Sequence, residues 1–436
     1  MLFRSVITLR RAGAGRWPRT TPGKRRGGRS ETPCRLHAPE NLAGILNNPM
    51  RFAVDAHAIG RNLTGNETYI RSLLRGFSEV DRDSEFIAYV SEPAAGEWIP
   101  ERFDVKHVSR NPFRRLGWDL ARACKADHAD LLHVQYTAPL YCDLPLVVTV
   151  HDVSFLECPE YFEFARRAQL KLTVARTVAR AARVLTVSEF SRGSILRAYD
   201  LAPGTVQVVP NAANPAFRIL AREKAVASSQ ALLGFKAPFV FSVGDLQPRK
   251  NQIGLIEAFA RMLNAHPELP HHLVLTGKET WFAPRVYEAA RASGFGDRIH
   301  FTGFVPEKRL LHFYNACDCF VYPSFYEGFG LPILEAMACG RAVACSDTSS
   351  MPEVADGAGI LFDPSKPEAI ERAMSDILLN RDMRRRLEKL GAERATLFSW
   401  QNSARLTLEH YREVVDERRG AVVKAPAMAG VTDNKV

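Results

Sequence analysis

VYPSFYEGFGLPILEAMACGRAVACSDTSSMP, residues 321 to 352, is the stretch that decides how the rest of the chain reads. A strand leads into a glycine-broken loop carrying Glu327, then a short helix carrying Glu335, then a second strand through Val343. Pro332 sits where a first helical turn tolerates proline, and Gly340 where a helix ends. The loop Gly328, Phe329, Gly330, Leu331 therefore opens onto a helix N-terminus, where backbone N–H groups lack partners and the helix dipole favours an anion. That is a cradle for a phosphate. The two carboxylates, eight residues apart, would repel a phosphate and suit hydroxyl-rich groups such as a ribose and a hexose.

Outward from this stretch, strand and helix patterns alternate. On the N-terminal side strands are expected at 51–55, 85–90, 105–108, 131–135, 145–151, 184–187 and 206–209. Helices are expected at 68–77, 117–125 and 161–183, with a polar loop over 60–67. A second alternation begins at Pro238 with PFVFSVGDLQPRKN and runs into the opening stretch. Such alternation predicts α/β architecture with two doubly wound parallel sheets, whose ligands gather at strand C-termini. His151 and Asp152 stand at one such end, after the apolar run PLVVTV. The Asn- and Pro-rich segment VPNAANPAF is the expected linker between domains 50–214 and 215–398. A last helix, capped by Ser399, is expected over 399–417, followed by a coreless tail, 418–436.

The chain's net charge of +10 is localised. Residues 1–49 hold ten Lys and Arg against Glu31 and Glu40, a net of +8, so the remaining body is nearly neutral. A nucleic-acid partner loses its support. With little apolar periodicity, residues 1–49 cannot form a core. Translation starting at Met50, a disordered tail and a targeting segment are the alternatives. The eight cysteines form no C-x-x-C pair and no zinc-ligand spacing, so reduced thiols in a cytoplasmic protein are expected. Over 161–183 apolar Leu170, Val174 and Val178 share one face while Arg166, Arg167, Lys171, Arg176, Arg180 and Arg183 lie elsewhere. Both a solvated basic face and a peripheral contact with the inner membrane surface are open.

VGDLQPRKN places Arg249 and Lys250 just past a strand end, where two adjacent cations can neutralise a diphosphate and stabilise it as it leaves. No Asp-x-Asp stands where it could bind a metal; neither metal nor cofactor is expected, and activity should survive chelator.

The 32-residue stretch with its Glu-x7-Glu spacing, together with VGDLQPRKN, resembles retaining glycosyltransferases of family 4, and the likeness extends over residues 50 to about 416. It implies the GT-B fold, two Rossmann-like domains facing across a cleft, with the last helix crossing back to the first domain. By the same resemblance Glu335 holds ribose hydroxyls and Glu327 a sugar hydroxyl. His151 faces the donor sugar, and Asp152 orients it or completes the acceptor side. Gly303, Phe304 and Val305 contact the nucleobase through their backbone, and Gly65 with Asn66 approaches the diphosphate. Many family members carry arginine directly after the glycine of VGDLQ; Asp245 stands there, which leaves the division of labour between Arg249 and Lys250 open. The implied reaction moves a hexose from a nucleoside-diphosphate sugar, of GDP-mannose or UDP-glucose type, to a glycan or lipid-linked saccharide hydroxyl. A GT-B epimerase or hydrolase, and a non-catalytic nucleotide-sugar-binding regulator, are the rivals.

Overall fold

The computed structural model describes residues 49–61 and 64–424. The basic N-terminal stretch, Cys34 and the chain past Lys424 lie outside them. Runs rich in β-branched and aromatic residues, such as Leu146–Thr149 with all four residues buried, form strands covered on both faces, as parallel sheets require. The first sheet holds β1 (Arg51–Asp55), β2 (Glu85–Val90), β3 (Asp104–His107), β4 (Leu131–Gln135), β5 (Leu146–Thr149), β6 (Arg183–Thr186) and β7 (Val206–Val208). Their spatial order is β3-β2-β1-β4-β5-β6-β7, all parallel. The second holds β8 (Phe239–Val243), β9 (His272–Thr276), β10 (Ile299–Phe301), β11 (Cys319–Tyr322), β12 (Val343–Ser346) and β13 (Ile360–Phe362). Its order is β10-β9-β8-β11-β12-β13, also all parallel. Strand order reverses between β1 and β4 and between β8 and β11, the switch points beyond which a crevice opens.

Seven helices bear on the site: α1 (Thr64–Val80), α2 (Phe164–Arg180), α3 (Glu189–Tyr199), α4 (Gln252–Ala265), α5 (Glu307–Ala316), α6 (Leu331–Ala338) and α7 (Trp400–Lys424). The Asn402 amide donates to Ser399 Oγ at 3.1 Å, capping α7. This helix carries the chain back onto the first domain. Gly76 of α1 lies so close to it that a Cβ would stand 2.7 Å from the Trp400 carbonyl oxygen. Tyr411 Oη lies 2.5 Å from His133 Nδ1, and Arg412 pairs with Asp81 at 2.9 Å. At the C-terminal end of β1, Arg115 pairs with Asp55 in the interior, both nearly inaccessible. Burial pushes the Asp55 carboxyl up, but Arg115 and His57 outweigh it and hold it far below the usual carboxylate range.

Several element boundaries differ from expectation. Residues 64–67 are the first turn of α1, not a loop, because Glu67 suits a helix N-terminus and its carboxylate accepts from the Gly60 amide at 3.1 Å. The expected helix 161–183 merges three elements: a 3-10 turn at Pro159–Tyr161, α2, and β6, which already contains Arg183. Helix Leu120–Ala126 is shorter than expected and follows a wide turn over Arg115–Asp119. The tail does not begin at 418, since α7 continues through Lys424. Strand β13 and the helices Arg222–Leu233, Pro367–Leu379 and Arg381–Ala395 went unread. The seven described cysteines are free and all but Cys158 are buried. No helix among the described residues is long and apolar enough to cross a membrane.

Candidate active site

The cationic side of the site is built on β8. Past its end, Gly244 passes so close to Gly277 that a Cβ on Gly277 would stand 2.0 Å from the Gly244 oxygen. A single 3-10 turn, Pro248–Lys250, then meets Asn251, whose side chain accepts from the Gly254 amide and so starts α4. Arg249 and Lys250 are thus fixed at a strand C-terminus, and both point at Glu327. Arg249 Nη1 lies 2.9 Å and Lys250 Nζ 2.6 Å from its carboxylate oxygens. Lys250 Nζ also donates to Tyr322 Oη at 2.8 Å, and Arg249 to the Tyr326 carbonyl. The three charged side chains are 10–16% exposed, so the mutual field is strong. Burial raises the Glu327 carboxyl, but Arg249 and Lys250 override it and hold it at about 2. Burial also works against Arg249, yet Glu327 and Asp152 raise its affinity for its proton above the ordinary value. For Lys250 burial wins, and its pKa falls despite Glu327.

After Glu327 the chain makes its closest approach to the first domain. A Cβ on Gly328 would stand 2.5 Å from the His151 carbonyl oxygen and 3.0 Å from Asp152 Cβ. The Gly328 carbonyl accepts from Ser188 Oγ at 2.7 Å and Ser191 Oγ at 3.0 Å. Glu353 accepts from the Glu189 and Phe190 amides, supplying α3 with its N-terminal acceptor from the opposite domain. Tyr326 Oη donates to Glu157 at 2.8 Å. Ser350 Oγ sits 2.9 Å from both the Glu327 and Phe329 carbonyls, shaping the loop from below. Gly330, at φ +100, turns the chain left-handed into α6, a conformation glycine adopts without cost. Within α6, Glu335 accepts from Tyr314 Oη at 2.7 Å. Burial pushes its carboxyl up to about 7, partly offset by that bond.

Across the cleft, His151 follows β5. Gln135 Nε2 donates to the Asn66 carbonyl at 3.4 Å, so its Oε1 accepts from His151 Nε2 at 2.9 Å. This places the proton of the neutral ring on Nε2 and leaves Nδ1 as an acceptor. Burial brings the His151 pKa down to about 4, partly countered by Asp152. The Tyr69 ring meets His151 edge-on at 4.6 Å. Asp152 accepts from the amide and hydroxyl of Ser154 at 3.0 and 2.7 Å.

The structure therefore brings His151, Asp152, Arg249, Lys250, Glu327 and Gly328 into one constellation, with Phe329, Gly330 and Leu331 leading from it into α6. Gly65 is exposed in the first turn of α1, and a Cβ there would touch nothing; neighbouring Asn66 reaches the constellation through Gln135. Gly303, Phe304 and Val305 follow β10 at the rim. Gly303 takes φ +65 and accepts from the Gly277 amide at 3.0 Å, while Phe304 is 57% exposed with Lys278 Nζ 5.3 Å from its ring centre. Asp245 Oδ1 accepts from the Lys278 amide at 3.0 Å, away from Glu327. Sequence reasoning missed Tyr314, Tyr322, Gln135, Ser188 and Ser350, which act on the named residues through bonds spanning 16 to 140 positions; no local pattern announces such partners. Among the described residues no three His, Cys, Asp or Glu side chains converge as metal ligands would.

Comparisons with known proteins place this geometry. Glycosyltransferase family 4 matches residues 63–217, and glycosyl transferases group 1 matches 227–394. The O-antigen chain mannosyltransferase B of Escherichia coli is 32% identical over 266 residues, 61% of this chain and 70% of that protein. The serotype-specific mannosyltransferase WbdA of Escherichia coli is 30% identical over 239 residues, 54% of this chain, which spans only 29% of that longer protein. In fold, HepE of Anabaena, solved in complex with UDP-glucose, aligns at TM-score 0.68 and 19% identity, covering 84% of this chain and 100% of HepE. Two parallel Rossmann-like sheets on either side of the cleft, with these relatives, make the chain a GT-B enzyme that belongs to the family 4 glycosyltransferases, of mannosyl- and glucosyltransferase-like kind.

Proposed function

We propose that the chain transfers a hexose from a nucleoside-diphosphate sugar to a hydroxyl of a glycan or lipid-linked saccharide, with retention at the anomeric carbon and without a metal ion. The observation that carries this reading is the Arg249–Lys250–Glu327 cluster, set beside a glycine loop that ends in the α6 N-terminus. As the bond from the anomeric carbon to the diphosphate oxygen breaks, negative charge grows on the leaving group. Two cations and the backbone amides that lead from the glycine loop into α6 are the groups that receive it. The acceptor oxygen bonds to the same carbon, and its proton passes to the departing phosphate oxygen, so no side chain is assigned as general base. Glu327, ionised at any working pH, keeps both cations aimed. Neutral His151 offers a hydrogen bond rather than a charge, and Glu335 takes the ribose hydroxyls.

A lipid-linked acceptor brings a membrane surface with it. Phe113, Trp118, Leu140 and Tyr141 are all more than half exposed. Leu140 is bonded to Leu116, and its loop is braced by Arg176 and Arg180 of α2. We assign the peripheral contact to this face; flotation with anionic vesicles, lost on Trp118→Ala with Tyr141→Ala, tests it. The transfer itself is tested by supplying nucleotide hexoses in EDTA with and without a saccharide acceptor pool. Nucleoside diphosphate released only with acceptor supports transfer. Release without acceptor points to hydrolysis, and loss of turnover in EDTA, restored by Mg²⁺, refutes metal independence.

A further inference from the structure

Three consecutive amides of the glycine loop, those of Gly328, Phe329 and Gly330, form no hydrogen bond among the described residues, although all three residues are buried. Backbone groups on either side are used: the Glu327 amide donates to Ser349 Oγ at 3.0 Å, and the Ile333 amide to the Gly330 carbonyl at 3.0 Å. Buried backbone donors are otherwise almost always paired, so a run of three fits a loop built to take an anion. The carbonyls of the same three peptide units are all taken, each by serine hydroxyls. Ser350 Oγ lies 2.9 Å from the Glu327 and Phe329 oxygens. The Gly328 oxygen between them accepts from Ser188 Oγ and Ser191 Oγ at 2.7 and 3.0 Å. All three serines are fully buried. In a trans peptide the N–H points opposite to the C=O. Holding the oxygens therefore aims the amides, two of them away from Ser350 and the Phe329 amide away from α3.

We infer that Ser188 and Ser191 are positioning residues for the transfer: from the domain opposite the glycine loop, they set the Phe329 amide that receives charge on the leaving diphosphate. This rests on the donor site proposed above. Ser350 belongs to the loop's own domain and fixes its two peptide units whatever the first domain does. The middle unit is different, because its oxygen is held from across the cleft. The two serines are in turn held against the loop. Glu353 takes the Glu189 and Phe190 amides at 2.9 and 3.2 Å, and Ser188 Oγ, while donating to Gly328, accepts from the Ser191 amide at 3.1 Å. A hydroxyl can do both, so one side chain caps α3 and orients the loop. The hydrogen bonds to the leaving group are complete only with α3 seated on the loop. The competing explanation is that both serines serve α3 alone; that role would move the melting temperature and leave kcat of the folded enzyme unchanged.

The experiment measures kcat and donor KM with UDP-glucose and with GDP-mannose, over a lipid-linked saccharide acceptor fraction, for the full chain and for Ser191→Ala, Ser188→Ala and Ser188→Thr. Ser191→Ala keeps the α3 cap and loses one of the two bonds to Gly328. With the donor that wild type uses, kcat should fall at least about tenfold in each alanine variant, with a smaller change in KM. Ser188→Thr keeps the hydroxyl and should restore most of the loss. Wild-type kcat in Ser191→Ala, a rise in KM alone, or a loss that Ser188→Thr does not restore, overturns this inference while the donor site stands. No turnover of either donor by wild type overturns the donor reading as well. Ser191→Ala decides even if Ser188→Ala does not fold.

Discussion

Glu327→Gln removes one negative charge from a buried cluster and leaves two cations facing an amide. The carboxyl is held at about 2 against an ordinary 4.5. At about 1.4 kcal/mol per tenfold shift, that difference stabilises the fold by about 3 kcal/mol above pH 5. An independent scale agrees: removing one partner of a buried ion pair costs about 3–5 kcal/mol. The sign follows from the depressed value. The stabilisation is complete above the unfolded carboxyl's 4.5 and fades as pH falls through the folded 2. Urea unfolding of wild type and variant at pH 7, 4.5 and 3 reads this directly. The variant should lose about 3 kcal/mol at pH 7, and its deficit should shrink toward pH 3. Lys250, already depressed by burial, should shed its proton more readily once Glu327 is gone, and donor affinity should fall with it. A deficit below about 1 kcal/mol at pH 7, unchanged at pH 3, would refute the claim that Glu327 is the buried counter-ion of both cations.

Three further outcomes follow from the same geometry. Gly328→Ala must push the loop off the His151 carbonyl, since a Cβ would stand at 2.5 Å from that backbone oxygen; Tm should fall and turnover should fall at least about tenfold, from misplacement in the cleft, and wild-type turnover would contradict the close approach. Glu335 ionises near pH 7, so donor binding should strengthen as pH rises from 6 to 8, and Glu335→Gln should flatten that profile. Arg115→Ala strands Asp55 in the interior and should cost about 3–5 kcal/mol of stability by urea unfolding; a loss under about 1 kcal/mol would show the pair to be dispensable.

The strands and the glycine loop were legible because their causes are local. A run such as LVVT has no choice but burial, and Gly330 is needed where a left-handed residue starts a helix. The constellation was legible in its parts, since Arg249, Lys250 and Glu327 each stand just past a strand end. Their pairing was not: the cations were read as free for a diphosphate, and only the fold shows 77 residues of separation closed to 2.6 Å. Within the polar run, residues 64–67 were misread because residues that favour loops also favour a helix's first turn. The basic face of α2 hid two arginines, half-buried Arg176 and exposed Arg180, that also brace a loop, a distinction sequence periodicity does not carry.

The most direct test of the central claim follows label from the hexose of a nucleotide sugar, in EDTA, into a lipid-linked saccharide fraction. The account predicts one labelled hexose transferred per nucleoside diphosphate released, with the anomeric configuration of the donor kept and the signal abolished in Lys250→Ala. Donor consumed with no label in the acceptor, or product of inverted configuration, would contradict it.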